Sequence, residues 1–123
     1  MDKEQALQSF WSSFGVPAYN ENSVRADATF PRITYPVAIG SLNYPVSLTA
    51  KISDNTTSWT RIRKISHLIA ETISRGGIGV DFDGGRIWIT PRGQIAADMP
   101  VDKDNDSIRE IQIFVNAEFL SEV

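Results

Sequence analysis

Apolar residues recur at helical spacing near the start of the chain: Ala6, Leu7, Phe10, Trp11 and Phe14 fall within about 140° of arc at 100° per residue. Asp2 followed by Gln5 makes a capping box, so a first amphipathic helix is expected. Gly15 supplies a left-handed stop and Pro17 prevents resumption. Residues 18–31 are polar and aperiodic, which predicts an irregular connection. Two period-two runs follow, with Ile33, Tyr35, Val37 and Ile39 on one face of the first and Val46, Leu48, Ala50 and Ile52 on one face of the second. That period means half-buried strands, joined by a hairpin-like link through SLNYP.

Asp54, Asn55, Thr56, Thr57 and Ser58 offer N-cap candidates for a second helix over residues 59–75. Trp59, Ile62, Ile65, Ile69, Ala70 and Ile73 form its core arc. Arg61, Arg63, Lys64, His67, Glu71 and Arg75 form its solvent or partner arc, with Leu68 standing beside these charges.

The stretch RGGIGVDFDGGRIWITPRG holds two glycine pairs. A phosphate-cradling loop runs from strand through glycines into a helix. Here the first pair follows a helix and the second separates two β-rich runs, so both read as turns, the first a helix stop and the second a two-residue hairpin with positive φ at Gly84 and Gly85. Pairing Asp83 with Arg86 sets Phe82 opposite Ile87 and Val80 opposite Ile89, all on one face. Residues 91–107 read as a long polar connection. A last strand then alternates Ile111, Ile113, Val115, Ala117 and Phe119 with Gln112, Phe114, Asn116 and Glu118. The expected fold is one α+β domain over residues 1–123, with a mostly antiparallel sheet of about five strands, two helices on one face and the order α-β-β-α-β-β-β.

Composition changes this picture little. The 123 residues are 41% hydrophobic and 22% charged, as in an ordinary folded domain. No cysteine is present, which removes disulfides and thiolate metal sites. The N-terminal segment carries early acids and no long apolar core, so neither a secretory signal nor a membrane span is expected. A net charge of -3 argues against general nucleic-acid binding.

The chemistry-bearing residues mostly read as structural. Asp102, Asp104 and Asp106 have the alternating spacing of a calcium loop, but Ser107 stands where glycine is needed and Ile113 where the bidentate glutamate is needed. His67, the one histidine, sits one turn from Glu71 and reads as an exposed pair. No serine lies in a nucleophile elbow. No enzyme activity, catalytic residue, metal or cofactor is expected.

Two aromatics fit a contact surface better. Trp88 and Phe114 fall on the sheet face away from the helices, among Thr49, Lys51, Asp81, Gln112 and Asn116, and aromatic anchors in a polar rim carry much of interface energy. Charge also segregates, with Arg61, Arg63, Lys64 and Arg75 in one segment and Asp98, Asp102, Asp104 and Asp106 in another. Such patches can meet head to tail between copies, and a head-to-tail contact closes a ring when the rotation allows. The expected subunit interface is Trp88, Phe114, Arg61, Lys64, Leu68, Asp102, Asp104 and Asp106.

Across nearly its whole length the chain resembles the tail-terminator, or tail-completion, proteins of long-tailed bacteriophages, including minor head-to-tail joining proteins. The likeness is carried by QALQSFWSSFGVPAYNENSV, ITYPV, TTSW, GGIGVDFDGGRIWI and IREIQIFVNAEF. It implies a small α/β subunit that assembles as a homo-hexameric ring in the virion, made in the host bacterial cytoplasm. Its implied partners are the tail-tube protein and the head-tail connector, with no catalytic residue, membrane or specific nucleic acid. A head-completion or neck protein is the nearer alternative, and a small nucleic-acid-binding module on the Arg61, Arg63, Lys64 and Arg75 face the more distant one.

Overall fold

The computed structural model describes residues 1–24, 28–37, 45–73, 76–101 and 107–121. Its elements are α1 (Lys3–Ser12), β1 (Ala18–Asn20), β2 (Arg32–Tyr35), β3 (Pro45–Asn55), α2 (Thr60–Ile73), β4 (Ile78–Phe82), β5 (Gly85–Asp98) and β6 (Ile108–Ser121). The sheet has six strands in the order β1-β2-β3-β6-β5-β4. Every neighbouring pair is antiparallel except β1 and β2, which run parallel. The fold is thus α+β with both helices sharing one core, but the sheet is mixed and one strand larger than the pattern predicts.

Helix α1 starts as its sequence requires. Asp2 is the N-cap, its carboxylate accepting from the Gln5 backbone N–H at 2.8 Å while Gln5 Oε1 accepts from the Asp2 backbone N–H at 3.0 Å. Ala6, Leu7, Phe10 and Trp11 are buried, and Gly15 takes a φ of +84° beyond the helix end. Helix α2 buries Ile62, Ile65, Ile69 and Ile73. Of the cap candidates, Ser58 accepts from the Thr60 backbone N–H at 3.2 Å, whereas Asp54 and Asn55 belong to β3.

The core face of the sheet follows the alternation. Leu48, Ala50 and Ile52 of β3 stand opposite Val115, Ile113 and Ile111 of β6, and Ile87 and Ile89 of β5 stand opposite Phe119 and Ala117, all buried. Helix α2 lies on β3, β6 and β5. Helix α1 touches β4 at one border and β1 and β2 at the other, so the sheet curls and α1 spans its two outer strands.

Three expectations need correction. The connection 18–31 contains β1, paired with β2. Pro91 to Asp98, expected in the polar connection, is the second half of β5. The β4–β5 hairpin pairs Phe82 with Gly85, Val80 with Ile87 and Ile78 with Ile89, two residues away from the expected register. The cause is the different role of each glycine in the second pair. Gly84 turns the corner at φ +89°, but Gly85 is a strand residue pressed against β6, where an added Cβ would lie 2.0 Å from the Leu120 carbonyl oxygen. A slip of two preserves the side-chain parity, so the same residues still face the core. Gly76 and Gly77, after α2, have φ of +99° and +94°, as a helix-stop reading requires. Ile39, Ser41, Leu42, Asn43, Tyr44 and Arg75 lie outside the described residues.

Candidate interaction surface

Strand parity fixes which side chains project away from the helices. On that face Thr49 stands opposite Phe114, Lys51 opposite Gln112, Ser47 opposite Asn116, and Trp88 between Gly79 of β4 and Glu118 of β6. Trp88 is 36% exposed. The face assignment made from the sequence therefore holds even though the hairpin register does not.

Trp88 and Phe114 do not form one patch. Four strand positions separate Glu118, beside Trp88, from Phe114, about 13 Å along β6 at ~3.3 Å per residue. Phe114 is also covered. Between the pairs Pro91–Val115 and Ala96–Ile113, residues 92–95 of β5 oppose Phe114 alone. This bulge re-aims Arg92, whose guanidinium lies 5.3 Å from the Phe114 ring centroid and donates to Thr49 Oγ1 at 3.0 Å. Phe114 is thus half-buried beneath an arginine. The apolar neighbour of Trp88 is instead Leu120, 38% exposed on the same face and opposite Arg86. The alternation read from the sequence stops at Phe119, one residue short of Leu120.

The charged arc of α2 is largely committed within the molecule. Arg61 grips the fully buried Asp54 carboxylate in a fork, Nε to Oδ2 at 2.9 Å and Nη2 to Oδ1 at 2.7 Å. Arg63 bonds Asp98 at 2.8 Å and lies 5.1 Å from the Trp59 ring centroid. His67 Nε2 and Glu71 lie 3.3 Å apart, the pair their spacing predicts. Of the expected interface residues on this helix, Arg61 is therefore tied to the fold, whereas Lys64 is exposed with no ion-pair partner among the described residues and Leu68 is 45% exposed. A nucleic-acid surface on this helix loses two of its cations to Asp54 and Asp98. Asp102, Asp104 and Asp106 lie outside the described residues.

A groove of about 400 Å³ opens between α1 and the β1–β2 border, lined by Glu4, Gln5, Gln8, Ser9, Asn20, Tyr35 and Val37. Two of its polar side chains are joined across it: the Tyr35 hydroxyl donates to Gln8 Oε1, and Gln8 Nε2 donates to the Ala18 carbonyl and to Ser12 Oγ, both at 2.9 Å. Burial, with a smaller push from the Glu4 carboxylate, raises the Tyr35 pKa above its ordinary 10.0. Tyr35 also stacks on Trp11 at 6.3 Å, so this network fastens β2 to α1.

Among the described residues no group of three or more His, Asp or Glu side chains could hold a metal ion, and no helix is long and apolar enough to cross a membrane. Comparison of the chain with protein-family models, with curated proteins and with solved structures found no match.

Proposed function

We propose that the chain is a virion structural protein of a long-tailed bacteriophage, which caps the completed tail tube as a homo-hexameric ring and joins tail to head. The observation that carries the proposal is Trp88, an aromatic 36% exposed on the sheet face turned away from both helices. A large ring held half in water by a rigid strand is an anchor ready for burial by a neighbour. The resemblance of the opening segment and of the hairpin to tail terminators supplies the assignment to tails. In mechanism, a ring docks on the last ring of tail-tube subunits, covers the surface that would accept another, and offers a different surface to the connector.

Phage assembled without the protein tests this reading. Tails are expected to overrun their normal length and to fail to join heads, with both defects repaired by added protein in electron micrographs. Tails of normal length that merely remain unjoined would assign the protein to the neck instead.

A further inference from the structure

Two small patches on opposite sides of the subunit combine an exposed apolar side chain with a charge that has no ion-pair partner among the described residues. On α2, Leu68 is 45% exposed, and Lys64, one turn earlier on the same stripe, has no ion-pair partner among the described residues. On the far face of the sheet, Trp88 and Leu120 are 36% and 38% exposed. Glu118 lies directly across from Trp88 and two residues before Leu120, likewise without an ion-pair partner among the described residues. The opposite flank of this patch is closed by Arg86, which folds over Gly79 and is held by Asp81 at 2.8 Å.

We infer that these two patches meet between copies of this chain: Leu68 of one copy packs on Trp88 and Leu120 of the next, and the Lys64 ammonium faces the Glu118 carboxylate. The spacings agree. Residues four apart on a helix have Cβ atoms ~5–6 Å apart, and a directly opposed cross-strand pair has them ~4.5–5.5 Å apart. Charge also selects the arrangement. The mixed contact sets the Lys64 cation against the Glu118 anion. Because the two patches differ and lie on opposite sides, the contact is head to tail and repeats from copy to copy. It deepens the ring reading above and rests on it only for the closing of that repeat into a ring.

A charge-swap cycle tests the contact on the purified full chain by sedimentation velocity. The wild type is expected to self-associate, Lys64→Glu and Glu118→Lys each to weaken association about tenfold or more, and the double swap to recover most of the loss. Both side chains lie outside the core, so unfolding midpoints should stay within a degree or two of wild type, which separates lost contact from lost fold. Single swaps without effect, a double swap no better than the singles, or a wild type that stays monomeric up to about 1 mM would each overturn the contact. Capping of tails by a chain whose swap cycle fails would retire this contact and leave the tail reading standing. A successful cycle in a protein that does not cap tails would do the reverse.

Discussion

Tyr35 shows how one side chain ties an outer strand to a helix. Its hydroxyl donates to Gln8, its ring stacks on Trp11, and burial together with Glu4 holds its proton on. A tyrosine pKa raised by folding contributes stability that is complete below the ordinary value of 10.0 and is lost as pH rises through the folded value. Tyr35→Phe should therefore cost about 1 kcal/mol near neutral pH through the lost hydrogen bond, yet lose less stability than wild type above pH 10. Urea unfolding at neutral and alkaline pH reads both; parallel losses would contradict it. Asp54 and Arg61 make the second residue-scale point. Their fork was not legible, because seven positions separate them and Asp54 reads as a helix cap, whereas it ends up buried in β3.

At the scale of elements, the β4–β5 hairpin separates two roles that adjacent glycines share in the sequence. Gly84 needs a positive φ but has nothing within 4 Å of an added Cβ, whereas at Gly85 the Cβ would meet the backbone of β6. Gly84→Ala should cost about 1–2 kcal/mol as left-handed strain, and Gly85→Ala more, about 3 kcal/mol, since two paired strands must part. Thermal unfolding of the two variants would rank them; the reverse order would overturn the register. The elements that were legible share long runs of one period: α1, α2, β3 and β6 all announce their buried face. The elements that were not lack such a run. β1 has three residues and a single buried one, Ala18, and is made a strand by its parallel neighbour. The second half of β5, with Pro91 and Gly93, falls in the stretch that reads as a polar connection, but the bulge at residues 92–95 absorbs the glycine at φ +57° while Pro91 still pairs with Val115.

At the scale of the molecule, the two sides of the sheet do different work. One is filled by both helices, and the other presents Trp88, Leu120 and Glu118 among polar side chains. Trp88→Ala should leave the unfolding midpoint within a few degrees, because the ring is partly in water already, but weaken assembly at least tenfold, as for an aromatic anchor worth 2 kcal/mol or more. Comparing melting with mass measurement at high concentration reads the two separately; equal loss of both would make Trp88 a core residue. The outward face was legible because a slip of two leaves parity intact. The pairing of α2 cations was not, since Asp98 lies 35 residues from Arg63.

Sheets grow by adding strands at their borders, and an uncovered border invites stacking between chains. Here α1 lies against the outer strands at both ends of the sheet, and the Met1 carbonyl accepts the Asp83 backbone N–H at 2.7 Å. A strand added at either border would therefore first have to displace α1.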